Sequence, residues 1–421
     1  MCAAIAVLAA IGVAAIYVTD THYVGGHDGP KNAARQGLYL LVGCLAAAAV
    51  LRIGYERIGR YAYVLFALAL LALLPPLVAK LTGSTLGGIV RPRNGAYRWI
   101  SLPGFQLQPS EPMKVAYVLA LAWYLRYRKN YRRFGGLLLP FLISAVPIAL
   151  ILVEPDLGTA LLLAPVLFAM IYLAGAKMWH LAVIALIGVA AVPLAWGRLE
   201  PYQRLRVTAM LLQSETLRNA VIEDPQGYSF LATKRQALEW EASSGYQLVH
   251  SKNAVGSGGI LGWGWGKGIY VHNALLPDRH NDFILAIIGH QWGLVGCLTV
   301  LACYVVIVVC GVAVASATTE PFGRLLAVGV VALLAAQAIV NCGMAIGLMP
   351  TTGMTLPFVS FGGSSMLTQF LTAALLVSVS QRRPFLLSTR PFEFNRPRRE
   401  RTRFELQSVP PPDGTPVFRR E

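Results

Sequence analysis

Long apolar runs alternate with short polar segments along most of the chain. Taking roughly 20 apolar residues as one bilayer crossing, the pattern predicts ten membrane-spanning helices, near 2–18, 36–53, 61–80, 113–125 with its flanks, 136–153, 157–174, 179–196, 283–314, 325–348 and 364–380. The expected fold class is all-α and polytopic. An even number of spans puts both termini on one side. The short loops "RIGYERIGR" (Arg52, Arg57, Arg60) and "RYRKNYRR" (Arg126, Arg128, Lys129, Arg132, Arg133) lie on the same side as "RRPFLLSTR". Short cytoplasmic loops collect Lys and Arg, so both termini are assigned to the cytoplasm. The first apolar run lacks the charged flank and the cleavage site of a signal peptide. It is read as a span, with a start that could lie further upstream.

One connection breaks the pattern of short loops. Residues 198–281, between the seventh and eighth spans, form a segment of about 80 residues on the extracytoplasmic side, well beyond ordinary loop lengths. Within it, "NAVIEDPQGYSFLATKRQALEWEASS" has helical spacing in its second half and is expected to lie as an amphipathic helix on the bilayer surface. The domain division is therefore a ten-helix unit over 1–380 and a tail over 381–421. That tail is rich in Pro and Arg and too poor in apolar residues to fold, and it faces solvent or lipid headgroups. No internal repeat points to an inverted-repeat transporter.

Composition agrees with this reading. The 421 residues are 56% hydrophobic and 13% charged, more apolar surface than one soluble core needs. The net charge of +16 would suggest nucleic acid in a soluble protein, but here the cations gather in membrane loops and the tail, and no nucleic-acid partner is expected. The six cysteines fall in or beside apolar runs without metal-type spacing and read as small packing residues.

Several polar residues stand where the pattern does not call for them. The outer loop "RPRNGAYRWISLPGFQLQPSEPMK" carries Arg91, Arg93, Arg98 and Lys114 around Trp99. Glu111 and Lys114 are three apart, share a helix face and can pair. Alternatively, Arg98 and Lys114 bind an anionic group such as a lipid pyrophosphate. Arg204 and Arg206 follow in "YQRLRV", and Glu154 and Asp156 in "EPDLGTALLL", where Asp156 suits a helix N-cap. In "LLPDRHNDFILAIIGHQWG", Asp282 stands at the mouth of the eighth span, with Ala286, Gly289, Gly293 and Gly296 within about 40° of its direction on a helix. Close packing accounts for the small residues. It does not account for a carboxylate, and an ionisable side chain at a span's end is a functional candidate. Asp278, Arg279 and His280 precede it, His280 being a candidate acid–base group. The run "SKNAVGSGGILGWGWGKG" fits neither a nucleotide P-loop nor a dinucleotide fingerprint; its glycines would let backbone and tryptophans lie against a lipid or sugar. "GLMPTTGMTLPFVSFGGSS" suggests irregular backbone at membrane depth, tolerated where protein buries it or it lines a wet cavity.

Five of these stretches, "NGAYRWISLPGFQLQPSE", "EPDLGTALLL", "GYQLVHSKNAVGSGG", "LPDRHNDFILAIIG" and "LPFVSFGGSS", together resemble the signatures of the SEDS peptidoglycan glycosyltransferases, the RodA and FtsW proteins. The resemblance implies polymerisation of lipid II on the outer face of the bacterial cytoplasmic membrane, in complex with a class B penicillin-binding protein. It places the family's essential acid at Asp282 and its functional tryptophan at Trp99. Asp282 would take the proton from the acceptor sugar's 4-hydroxyl as polyprenyl pyrophosphate leaves the donor, an inverting displacement needing a base on one side and positive charge on the other. Arg98, Lys114, Arg204, Arg206, Lys252 of "VHSKN" and His280 are the candidate substrate-binding residues. No protein metal site is expected; a divalent cation, magnesium or manganese, bridging the pyrophosphate is compatible with the chemistry. Where the family commonly has two acids after "AIIG", this chain has His290 and Gln291. "GMAIGLMP" and "DRHNDF" lean towards RodA and "TTGMTLP" towards FtsW, with elongation slightly favoured. A precursor flippase and a catalytically silent scaffold are the competing readings, and the scarcity of charge within the spans weighs against the flippase.

Overall fold

The computed structural model describes residues 1–382 except 23–30, 86, 93–95, 103–104, 128–129, 198, 274 and 278. Arg93, Asp278 and nearly all of the 381–421 tail lie outside the described residues. Helices α1 (Cys2–Thr21), α2 (Lys31–Ile53), α3 (Tyr55–Arg60) and α4 (Ala62–Thr82) lead into an antiparallel pair, β1 (Ile100–Leu102) and β2 (Phe105–Leu107). Then come α5 (Ser110–Leu125), α6 (Phe134–Val153), α7 (Leu157–Leu173) and α8 (Met178–Trp196). The long connection holds α9 (Pro201–Leu211), α10 (Glu215–Glu223), α11 (Lys234–Leu238), α12 (Tyr246–Ser257) and α13 (Ile269–His272). The chain closes with α14 (Ile284–Ala317), α15 (Pro321–Ala345) and α16 (Gly363–Gln381).

Among the described residues, seven helices are long and apolar enough to cross a bilayer: α1, α2, α4, α6, α14, α15 and α16. Of the other three expected spans, α8 counts as an apolar helix over Met178–Leu194 among the described residues, and α5 and α7 are short. α5 and α7 have 16 and 17 residues, about 24–26 Å of helix against a hydrocarbon core of about 30 Å. α5 can be short and carry charge because nearly all of it is buried; the helices around it meet the lipid. α14, at 34 residues, exceeds the need of one crossing, and its backbone breaks at Gly293 (φ 62, ψ −155). Leu38, Leu41 and Leu45 of α2, Leu186 and Val189 of α8, and Leu298, Val305 and Val309 of α14 are exposed. In water this would be an aggregating surface; in a bilayer it is the lipid face.

The two ends of the bundle are distinct. α2 and α16 pack side by side. At one end Arg382 donates to the carbonyls of Leu51 and Arg52 at 2.9 and 2.8 Å, closing the C-terminus of α2. At the other end, a Cβ on Gly363 would stand 3.0 Å from the Tyr39 ring, so glycine lets the start of α16 approach α2. The long connection also belongs to this second end. Its Leu212, Val221, Ala232, Ala237, Trp240 and Leu248 form a small core of their own. The stretch expected to float as an amphipathic surface helix instead folds as α10 and the five-residue α11, with apolar side chains turned into that core.

Irregular backbone does enter the bundle at 350–362, and Thr352, Met354, Leu356, Phe358, Val359 and Ser360 are buried there. Helix side chains satisfy it. Asn341 Nδ2 donates to Met354 O at 2.6 Å, Gln337 Nε2 to Thr355 O at 2.9 Å and Gln36 Nε2 to Ser360 O at 3.0 Å. Buried carbonyls without such partners would each cost about 1–3 kcal/mol.

Candidate active site

A cavity of about 760 Å³ opens at the end where α16 begins. Its wall brings together Trp99 beside β1, Gln108 after β2, Arg35 and Tyr39 of α2, the turn His280–Asp282, and the first residues of α16. The register Ile100↔Leu107 and Ser101↔Gln106 keeps Trp99 and Gln108 at the same end of the hairpin.

Asp282 lies in the turn before α14, whose N-cap is Phe283. Three successive carbonyls of that turn are held. Phe361 N donates to His280 O at 2.9 Å, Ser360 Oγ to Asn281 O at 2.5 Å, and Asn341 Nδ2 to Asp282 O at 2.9 Å. The turn is therefore clamped by α15 and the buried 350–362 segment, with the carboxylate in the cavity wall. This differs from the expectation of a helical Asp282 above a small-residue groove. The glycine face is filled from elsewhere: a Cβ on Gly258 would meet Gly289 O, and one on Gly262 would meet Gln291 O. These glycines let the loop after α12 lie against the backbone of α14.

His290 and Gln291, which stand where acids were expected by resemblance, hold that loop. Gln291 Oε1 accepts from Gly266 N and its Nε2 donates to Lys267 O, both at 2.8 Å, while His290 Nδ1 pairs with Ser257 Oγ at 2.8 Å. Neither residue lines the cavity.

The candidate cations separate by position. Arg206 and Asp282 both come close to Gly353, a cavity residue: a Cβ there (φ +74) would stand 3.1 Å from Arg206 Nη1 and 3.5 Å from Asp282 Oδ2. Lys114 is buried, 2.9 Å from Glu111 and 3.4 Å from Gln337 Oε1. Gln337 in turn donates to Thr355, which lines the cavity, so the pair stands behind the wall rather than snorkelling. Arg98 donates to Glu154 O at 3.2 Å and also to Pro155 O, tying the hairpin to the turn between α6 and α7. Arg204 donates to Leu199 O and Gly197 O at 3.0 and 2.7 Å. Lys252 of α12 reaches Gln213 Oε1 at 3.4 Å. Arg98, Lys114, Arg204 and Lys252 do not line the cavity, whereas Trp99, His280 and Asp282 do. Arg279 is a structural tie, donating to Val271 O and Thr19 O at 3.0 and 2.9 Å.

Asp156 serves as the N-cap of α7, and it also reaches the cavity wall. It accepts from Thr159 Oγ1 at 2.9 Å, from Ser110 Oγ at 3.0 Å and from the cavity residue Gln108 at 3.0 Å. Burial alone would raise its pKa, but Arg98 and the bonds from Thr159 and Ser110 outweigh that and hold it below the ordinary carboxylate value. Glu154 goes the other way. Burial first, and the neighbouring Asp156 second, push it up to about 9 against the pull of Arg98, and its Oε1 has no hydrogen-bond partner among the described residues.

Sequence reasoning passed over Arg35 as a cavity residue and named Arg91 without a role, yet both line the cavity. A signal was present for Arg35: a cation at the outer end of the second span runs against the positive-inside pattern.

The family model described as cell cycle protein, FtsW/RodA/SpoVE, matches residues 1–384. The chain belongs to this family. It is 34% identical over 358 residues to the probable peptidoglycan glycosyltransferase FtsW of Geobacter metallireducens, covering 85% of this chain and 86% of that protein. It is also 34% identical over 294 residues to the peptidoglycan glycosyltransferase MrdB of Escherichia coli, covering 69% and 73%. Among solved structures, a chain from work on the structural coordination of polymerization and crosslinking by a peptidoglycan synthase complex matches with a TM-score of 0.69 and 29% identity, covering 91% of this chain and 97% of that one. RodA of Thermus thermophilus, a rod shape determining protein, matches at 0.62 and 26%, covering 91% and 96%. The FtsW/RodA chain described here is thus a multi-pass protein of the bacterial inner membrane.

Proposed function

We propose that this FtsW/RodA family member is a peptidoglycan glycosyltransferase that polymerises lipid II at the outer face of the membrane, with Asp282 as general base. The observation that carries the reading is the carboxylate of Asp282, on a turn whose backbone is clamped, in the wall of a polar cavity that Arg35 and Arg91 also line. Asp282 takes the proton of the acceptor 4-hydroxyl as that oxygen attacks the donor's anomeric carbon, and the bond to the polyprenyl pyrophosphate breaks with inversion. Positive charge beside the departing pyrophosphate stabilises the transition state. Arg35 and Arg91 in the wall, and Arg206 next to the wall residue Gly353, are the cations in position for this. Trp99 offers the sugar an apolar face and His280 a ring nitrogen. Arg98 acts at one remove, by fixing the hairpin that carries Trp99. Among the described residues no group of three or more His, Cys, Asp or Glu could hold a metal, and no step is routed through one.

The partner is a class B penicillin-binding protein, whose transpeptidase would crosslink the strands; the relation to a synthase complex that couples the two activities supports it. The test is lipid II polymerisation by the purified complex in nanodiscs, comparing wild type with Asp282→Asn. Loss of general-base help costs about 10²–10⁴ in rate, so the variant should make no visible polymer while retaining its unfolding midpoint and partner. Equal polymer from both would overturn the assignment of the base.

A further inference from the structure

The polar cavity leaves one large apolar feature unexplained. A groove of about 870 Å³ is walled by α1 and α2 and floored by α16, and Trp265 joins Tyr17 at one end of it; their rings are 6.4 Å apart. α1 lines it with small side chains, Ala6, Ala10 and Ala14 among them, while α2 contributes Leu40, Cys44, Ala47 and Leu51. From Cys2 to Tyr17 the lining runs about 22 Å along α1. Spread over that length, the volume gives a mean cross-section on the order of 40 Å², about half that of a helix roughly 10 Å wide. The slot has the length and the apolar lining to take a hydrocarbon chain.

The groove is built on the same two helices as the active-site cavity. On α2, Arg35 and Tyr39 line the cavity and Leu40 and Cys44 line the groove; on α16, Ser364 and Ser365 line the cavity and Phe370 and Ala373 line the groove. A lipid whose charged head sits by Arg35 would enter the groove by passing about a quarter turn around α2, from the face of Arg35 and Tyr39 to that of Leu40 and Cys44. We infer that this groove seats the polyprenyl chain of a lipid-linked saccharide whose pyrophosphate and sugars occupy the Asp282 cavity. The inference rests on the glycosyltransferase reading above. It makes tail recognition a property of α1 and α2, separate from the chemistry.

Two measurements on the full chain in phospholipid nanodiscs test it. In the first, Ala10→Phe and Ala47→Phe fill the slot, and polymerisation is measured with lipid II of natural chain length and with a short-chain, water-soluble analogue. The expected result is a rise of about tenfold in KM for the long-chain substrate, with kcat and the short-chain KM unchanged. Unchanged KM for both substrates, or an equal change for both, overturns the proposal. The second needs no catalysis, so it separates failure of the groove from failure of the enzyme. A photoreactive benzophenone is attached to Cys44, an exposed thiol, in a Cys2→Ser background and irradiated with undecaprenyl pyrophosphate present. A polyprenyl adduct that displaces the phospholipid adduct supports the groove. A phospholipid adduct in undiminished yield overturns it, whether or not the wild type makes polymer.

Discussion

Glu154→Gln isolates one buried proton. The carboxyl is 1% exposed and pushed up to about 9 by burial and Asp156. Arg98 donates to the carbonyls of Glu154 and Pro155, and those bonds survive the substitution. In the unfolded chain the same group titrates near about 4.3. Between these values the folded state holds a proton that the unfolded state has released, so stability must fall as pH rises through the window and is fully present below it. The limiting slope is about 1.4 kcal/mol per pH unit. From pH 6 to 8.5 the wild type should lose on the order of 3 kcal/mol relative to the Gln variant, less whatever relaxation admits water. The assay is the unfolding midpoint of both proteins in one detergent across that range, taken as a difference so that other titrating groups cancel. The stability of the Gln variant relative to wild type should rise steadily by that amount from pH 6 to pH 8.5, with polymerisation retained at pH 7. A difference that does not vary with pH, or a variant already unstable at pH 6, would mean that Glu154 is ionised in the fold and would refute the reasoning.

Lys114→Met should cost about 3–5 kcal/mol, because it leaves Glu111 buried without its counter-charge; thermal unfolding of the single variant and of Lys114→Met/Glu111→Leu should show the second change restoring most of the loss. Gly353→Ala should fold but polymerise poorly. Its φ of +74 is costly for a side chain, about 1–2 kcal/mol, and the new methyl crowds Arg206 and Asp282. A fall of about a hundredfold in kcat, with lipid II binding measured separately and largely kept, is the expected outcome.

Local pattern was enough for some of this protein and silent on the rest. Runs of apolar residues reveal a membrane chain because the hydrocarbon core demands them at every crossing, and each expected span has its helix. The expected count of ten was harder to read, since α5 carries Glu111 and Lys114 through the buried centre and α14 continues past its break at Gly293. Asp282 was legible as a candidate because a carboxylate at a span's mouth needs a reason, and five collinear motifs pointed to the family that the comparisons found.

What the sequence by itself determined, then, was the class of protein, the family, and a short set of residues that packing does not explain. Tertiary structure decided which of them meet. Arg98, Arg204 and Arg206 look alike as cations in outer loops, yet the first two are held by nearby carbonyls and the third comes close to Gly353 of the cavity wall. Helical periodicity aimed Asp282 at a glycine face, whereas Asn341, Ser360 and Phe361, 59 to 81 positions away in the chain, fix the turn that carries it. Arg35 enters the site only because α2 and α16 start at the same end. The physical reason is one of range. Hydrophobic patterning acts within a helix and is written in neighbouring residues, but the direction of a polar side chain is set by hydrogen bonds to whatever the fold brings beside it.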